Sequence, residues 1–392
     1  MTTRFFRISA LVVLFLSIGL NIEAQQVVNA YAKNDLGDIL LMYYGQKGRL
    51  KWNVNQVSCA VTHTFADGHT DWLFPTFLYL EFRRGNKMLG NGHPVAKEPS
   101  LQEDWQWLID RFFTKDEGLD ALDQAIEQAK TRLGPPPFKH QVILTIPVPV
   151  KTQGYWGTIN GKVINFEREN DRFEAVKWYV DNIEKRFKQQ QYRNISLVGY
   201  HWLDEYAAPS KAYMPRVAKY LHHLGRKFVW NPMSRADYRF KWKQLNVDYA
   251  FLQVGYFWNF KSSPEAIAAQ LDRAKTYGLG LVFEVNESLN KDHDKYFPRF
   301  KTLVDVYEQK GAFAQSAITY YFSNNALYDF KKSSRSEDVA LMDRLARFIV
   351  QRNRRFAASP NPSTPATSTT KSGTSARDRD KLDWRDPEYW HF

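Results

Sequence analysis

Eight short runs of nearly continuous apolar residues recur along the chain, at 38–44, 72–82, 141–150, 195–202, 227–231, 249–256, 278–284 and 317–322. A strand with one wet face alternates apolar and polar residues. An unbroken apolar run of this length is expected of a strand covered on both faces, as in a parallel sheet. The segments between the runs carry a different period. Within 101–133, Trp105, Leu108, Ile109 and Phe112 fall three or four apart, then Leu119, Leu122, Ile126 and Ala129. In 172–191 the series is Phe173, Val176, Val180, Ile183 and Phe187, and 213–224, 264–277, 295–310 and 337–352 repeat the spacing. That is the apolar stripe of a helix laid on a core. Pro264 suits a first helical turn with Ser262 or Ser263 as cap, and Gly225, Gly278 and Gly311 stand where helices should stop. Strand and helix alternating eight times predict an α/β fold, a (β/α)8 TIM barrel in one domain. The connection after the first strand follows neither period.

The two ends of the chain depart from this pattern. Arg4 and Arg7 precede the apolar stretch 11–20, and Ile22, Glu23 and Ala24 offer a cleavage site. Residues 1–24 are therefore expected to be a secretory signal peptide, too short in its apolar part to span a bilayer, with no integral membrane segment left after cleavage. The barrel is expected over 25–356. Residues 357–380 are rich in Ser, Thr and Pro and predict a disordered linker, and 381–392 form a short aromatic segment that either docks back on the barrel or acts as an interaction tag. The expected location is periplasmic or secreted.

Composition narrows the chemistry. The only cysteine, Cys59, excludes an intramolecular disulfide and a cysteine-built zinc site. His63, Asp67, His69 and Asp71 lie close together, but at no ligand spacing, in what reads as a loop; no metal and no cofactor are expected. The formal net charge is +12 without a Lys/Arg block or a nucleic-acid motif, so no nucleic-acid partner is expected. Diffuse positive charge is the bland interpretation; an anionic glycan or acidic envelope surface is the functional one. There is no Ser-centred nucleophile elbow. Oligomeric state is not legible.

Barrel enzymes build their sites at the C-terminal ends of the strands. Two of the runs end in acid there. The fourth closes with His201, Trp202, Leu203, Asp204 and Glu205; the seventh closes with Phe283 and Glu284. Buried carboxylates are rare without a partner or a purpose. A pair of them across a barrel mouth suits acid/base cleavage of a glycosidic bond, one carboxyl protonating the leaving oxygen and the other acting as nucleophile or base. Asp204 could orient Glu205, and Glu287 is the alternative to Glu284. Either Asp204 or Glu205 could instead cap the next element. The remaining strand ends carry Tyr44, Trp156, Trp230, Asn231, Gln253, Tyr256, Trp258, Asn286 and Tyr321. Aromatic faces suit sugar C–H faces, and amides suit hydroxyls. With His201 and Trp202 these residues are the expected carbohydrate-binding set.

At these residues the chain resembles the family catalogued as domain of unknown function 4855, over roughly 38–330. The resemblance lies in Ile146-Pro147-Val148-Pro149 with Trp156-Gly157, in Gly199-Tyr200-His201-Trp202 leading to Glu205, in Lys227-Phe228-Val229-Trp230-Asn231-Pro232, in Leu252-Gln253 with Tyr256, and in Phe283-Glu284. It implies a barrel of glycoside-hydrolase type with Glu205 and Glu284 as active-site acids. Asp204-Glu205 is also similar to the Asn-Glu pair at the fourth strand of many retaining barrel glycosidases, which implies Glu205 as acid/base and Glu284 as nucleophile. The chain departs from the family where Gln253-Val254-Gly255-Tyr256 replaces Gln-Pro-Asn-Tyr, and where Val285 stands in place of an aspartate after Glu284. The expected function is a glycoside hydrolase. The alternative is a non-catalytic glycan-binding barrel, which needs the aromatics but not the acids. A third reading is a partner-binding protein acting through 381–392.

Overall fold

The computed structural model describes residues 35–90 and 97–358. The expected signal peptide, most of the linker and the aromatic segment lie outside the described residues. Eight parallel strands close into a barrel: β1 (Ile39–Tyr43), β2 (Thr76–Leu80), β3 (His140–Ile146), β4 (Ile195–Trp202), β5 (Lys227–Trp230), β6 (Tyr249–Gln253), β7 (Gly280–Glu284) and β8 (Ile318–Tyr321). Each pairs with the next in sequence, and β8 closes on β1 with Thr319 opposite Ile39. Eight runs and eight strands correspond one to one, and the strands are shorter than the runs for stated reasons. Pro147 and Pro149 lack the N–H that a ladder needs, so β3 stops at Ile146. Gly255 takes φ +65°, which turns the chain out of β6 two residues after Gln253.

The helices also follow the apolar period. Gln102–Phe112 and Gly118–Leu133 cover the expected split helix, and Glu169–Gln190, Met214–His223, Pro264–Thr276, His293–Gln309 and Ser336–Ala358 match the rest. Between β5 and β6 the outer layer is a 3-10 segment, Arg239–Leu245. The irregular first connection is a helix, Val54–Val61, followed by an antiparallel hairpin pairing Thr62–Thr64 with Thr70–Trp72. The stretch read as a loop is thus partly strand. His63 is buried there and bonds Asp343 Oδ1 at 2.8 Å, while Ala66 N–H donates to Asp343 Oδ2. That histidine holds the hairpin to the last helix rather than joining Asp67 or His69.

Two devices set the barrel's two ends. At the end where strands begin, Arg352 of the last helix is buried against Asp38: Nε donates at 2.7 and 2.9 Å and Nη2 at 2.7 Å. This ties the C-terminal helix under the first strand. Inside the barrel, a Cβ on Gly280 would sit 2.5 Å from the Phe251 ring, so glycine at the start of β7 makes room for that ring.

Candidate functional site at the C-terminal mouth of the barrel

Strand alternation sorts the site residues. On β4, Trp202 packs against Tyr213 at the start of helix Met214–His223 and against Phe228 of β5, so Trp202 faces outward. Trp230 pairs with Trp202 in register and shares that face. His201 is then inward, where Thr145 Oγ1 of β3 lies 3.2 Å from its Nδ1. Asn231 follows Trp230 and points inward too; it is buried, and neither atom of its side-chain amide has a partner among the described residues. His201 Nε2 is likewise buried without a partner. Burial holds the His201 ring down at a pKa of about 3, so it is neutral.

The two glutamates meet in this layer. Glu205 lies three residues beyond β4 and is half-buried. Gln253 at the end of β6 donates from Nε2 to Glu205 Oε1 at 2.7 Å and to the Asn231 carbonyl at 3.0 Å. Glu284 ends β7 and is buried. Gly255 N–H donates to Glu284 Oε2 at 2.6 Å. Residues 253–255 therefore hold both carboxyls, one through a side-chain amide and one through the main chain. Burial raises Glu205 to about 7 against the pull of the Gln253 bond. Burial raises Glu284 to about 8; the Gly255 N–H opposes the rise, and the charge of Glu205 adds to it. The last effect requires the two carboxyls to share one electrostatic environment.

β8 and β1 complete the ring. Tyr321 pairs with Glu284 in register, and its hydroxyl lies 3.2 Å from that of Tyr43. Tyr43 is pushed well up, first by burial and then by Tyr321, with a smaller contribution from Glu205. Arg49 lies over the Tyr43 ring at 4.1 Å and makes a two-pronged bond to buried Glu81, at 3.1 and 3.2 Å. Trp258, from the loop after β6, meets Tyr321 edge-on at 6.2 Å between ring centres.

The structure brings together Glu205, Glu284, His201, Asn231, Gln253, Tyr321 and Trp258. It separates the others. Tyr44 is one residue too far along β1 and faces outward: it packs on Tyr79 and under Arg111, with its hydroxyl toward Glu117. Trp156 is buried in the outer layer between Trp105, Phe166 and Trp178. Trp202 and Trp230 stand behind the barrel wall, and Trp230 Nε1 donates to the Asp204 carbonyl at 2.8 Å, holding the turn that presents Glu205. The Asp204 carboxyl is buried beside Gly90, so closely that a Cβ there would come within 2.7 Å of Oδ1. Tyr256 is buried under Arg299. Asn286 accepts from Ser288 N–H in a turn that leads into the short helix Ser288–Lys291, and Glu287 accepts from Asn324 N–H at 2.6 Å. Both are occupied with loop structure. Arg49 and Thr145 were missed, and of the two tyrosines at the end of the first strand, Tyr44 was taken into the binding set and Tyr43 was not. For Tyr43 the signal was available: in a strand ending at Tyr43, only one of two adjacent tyrosines can face the barrel axis.

Residues 38–347 match the family described as Domain of unknown function (DUF4855). The chain belongs to the DUF4855 family. No curated protein matches it in sequence. Among solved structures it is similar to the catalytic domain of a GH18 chitinase from the fern Peteris ryukyuensis, at 12% identity and TM-score 0.42, over 80% of this chain and 99% of that one. It is similar to a GH113 beta-1,4-mannanase at 13% identity and TM-score 0.41, over 81% and 98%. It is also similar to a tryptophan synthase alpha-subunit from Pyrococcus furiosus, at 10% identity and TM-score 0.37, over 80% and 97%. Such likenesses, spread over unrelated chemistries, leave the function of this DUF4855 protein to its own site residues. Among the described residues no helix is long and apolar enough to cross a membrane.

Proposed function

We propose that this DUF4855 protein is a glycoside hydrolase acting on an oligosaccharide or polysaccharide, with Glu205 as acid/base and Glu284 as nucleophile or base. One observation carries the reading. The segment 253–255 bonds both carboxyls at the barrel mouth, and both are raised by burial into the range where a proton is held or released near neutrality. Two coupled acids in one site titrate as a pair, and the first charge formed disfavours the second. Around neutral pH the pair carries about one proton, which is what a glycosidase needs.

The hydrogen-bond donors assign the roles. Main-chain N–H groups only donate, and Glu284 receives them from Gly255 and Val254, which favours its ionised form. Glu205 receives one side-chain amide and keeps a half-exposed edge. In the free protein the shared proton rests mainly on Glu284, whose pKa is the higher. In the proposed complex the positive charge developing at the anomeric carbon favours ionised Glu284, so the proton is held by Glu205 and passes to the glycosidic oxygen as its bond to the anomeric carbon breaks. Glu284 attacks that carbon, or takes a proton from the water that does. The unsatisfied amide of Asn231 and the neutral ring of His201 would bond sugar hydroxyls, and Tyr321 and Trp258 would wall the subsite. No cofactor enters this chemistry. Export directed by residues 1–24 belongs to the same reading and is checked by sequencing the N-terminus of the mature protein.

The test is product release from a panel of plant, host and microbial polysaccharides by wild type, Glu205→Gln and Glu284→Gln, with folding checked by circular dichroism. Loss of a general acid costs about 100-fold to 10,000-fold in rate, so both variants should fall to that extent. A wild type that releases nothing yet binds a glycan would leave a non-catalytic binding protein. An active Glu284→Gln would remove Glu284 from the chemistry.

A further inference from the structure

Beyond Gly255, the loop after β6 builds a second cluster. Trp258 touches Tyr321 at the mouth, and two residues later Phe260 is 48% exposed, one of few large apolar side chains so placed among the described residues. Two cations stand on the Phe260 ring: Arg299, 4.6 Å from its centre, and Lys295, 4.7 Å from it. Arg299 also lies 3.8 Å from the Tyr256 ring centre, and Lys295 5.5 Å from that of Tyr296. Nε of Arg299 donates to the Phe257 carbonyl at 2.8 Å, and Nη2 donates to the Asn259 carbonyl at 2.9 Å and to that of Tyr256. Among the described residues no carboxylate pairs with Arg299 or Lys295. Asp294, the nearest acid in sequence, leans toward His293 Nδ1 at 3.6 Å instead.

Some neighbouring cations of the same helix are matched to acids, as in Lys301 with Asp305 and Lys310 with Asp272, whereas Lys295 and Arg299 lie on rings. A cation held on an aromatic face keeps its charge uncompensated, since the ring offers only about 0.5–1 kcal/mol at an exposed site. The positive charge sits on the helix His293–Gln309, packed against the loop whose Gly255 holds Glu284, in a chain of net charge +12. Oriented cations beside a cleft draw anions to it. We propose that Lys295, Arg299 and Phe260 form a distal subsite for an anionic group on the glycan, a carboxylate or sulfate carried one or more sugars away from the cleaved bond. The proposal rests on the hydrolase reading for its place in the reaction and deepens it: the substrate is an acidic polysaccharide.

The test is binding, measured by titration calorimetry on the full-length Glu205→Gln protein so that nothing is consumed. The probes are polygalacturonate, chondroitin sulfate and a neutral galactan. One of the two anionic chains should bind more tightly than the neutral one, its affinity should fall as salt is raised, and which of them binds distinguishes carboxylate from sulfate. Lys295→Glu, at an exposed position that leaves the core alone, should weaken that chain by about fivefold or more at low salt and leave the galactan unchanged. Phe260→Ala, which removes the ring under both cations, should move affinity the same way. Equal affinity for neutral and anionic chains, no binding of any probe, or a Lys295→Glu variant with unaltered anion preference would overturn the proposal. Product release by wild type decides the hydrolase reading separately: anion binding without turnover on any glycan would sink that reading and keep the subsite.

Discussion

Replacing Glu284 with Gln should stabilise the protein at neutral and alkaline pH while removing its activity. Glu284 has a folded-state pKa of about 8 against an ordinary value of 4.5, chiefly because burial disfavours its charge. Between those two values the unfolded chain has released its proton and the folded chain still holds it. Stability changes with pH as the protons bound unfolded minus those bound folded. That difference is negative here, so this group's contribution falls as pH rises from 4.5 to about 8 and is level outside that window. At about 1.4 kcal/mol for each unit, the loss at pH 8 reaches up to about 5 kcal/mol. Gln carries no proton to lose, has nearly the same shape, and its side-chain oxygen can still accept from Gly255 N–H. Urea denaturation of wild type and Glu284→Gln at pH 5, 6.5 and 8 measures the effect. The variant's advantage should be small at pH 5 and widen steadily to pH 8, with unchanged dependence on denaturant. Parallel stability curves, offset by a constant, would refute the argument that Glu284 is held protonated by burial.

Three further outcomes follow from the same contacts. Gln253→Ala removes the bond that favours charged Glu205, so the alkaline limb of kcat/KM should move to higher pH as kcat falls; an unmoved limb would mean that Gln253 does not act on Glu205. Tyr43→Phe breaks the hydroxyl contact with Tyr321 and should lower kcat/KM, whereas Tyr44→Phe, whose hydroxyl faces Glu117 outside the barrel, should leave kcat/KM within twofold, about the scatter of such assays; equal effects on activity would contradict the inward placement of Tyr43. Asp38→Asn leaves Arg352 buried without its carboxylate and should cost about 3–5 kcal/mol in chemical denaturation, with kcat/KM unchanged below the melting range; a loss under 1 kcal/mol would show that the pair is dispensable to the fold.

The barrel was legible because its signal is redundant. A strand covered on both faces must be apolar along its whole length, and eight such runs separated by helical stripes leave few alternatives to a closed parallel sheet. The carboxyls at 205 and 284 were legible for the same reason, since acid at the end of an apolar run conflicts with its surroundings. The aromatic residues were not. Trp156, Trp202 and Trp230 have the composition of a sugar cleft, yet the layer between strands and helices also needs large side chains, and composition does not distinguish the two. Facing does, and facing depends on where a strand ends to within one residue, because alternate side chains leave opposite faces. Tyr44 was chosen and Tyr43 lines the mouth for want of that single residue. Arg49 was invisible for a different reason: it is carried on a loop and reaches Tyr43 and Glu81 only in the folded chain.

The two ends of this barrel hold charge in opposite ways. At the end where strands begin, Asp38 and Arg352 are both buried and the Arg352 Nε and Nη2 groups are matched to acceptors on Asp38 and Ser316, although His140 at the start of β3 keeps both ring nitrogens without a partner among the described residues. At the other end Glu284 is buried with raised pKa, and among the described residues Glu205 beside it has no cation and Asn231 and His201 keep buried polar atoms with no partner. Each of those unsatisfied groups costs about 1–3 kcal/mol relative to a bonded one. A chain selected for stability alone would have an apolar layer there. The cost is explained if the missing partners arrive with a ligand rich in hydroxyls, because such a ligand supplies both donors and acceptors at once. Binding would then stabilise the folded state by more than a simple dock onto a finished surface. Melting temperature should rise with concentration of the correct oligosaccharide in Glu205→Gln, and the rise should shrink when Asn231 is replaced by Leu. If the Leu variant were stabilised as fully as its parent, the buried amide would be unconnected with sugar binding, and its unpaired atoms would need another cause.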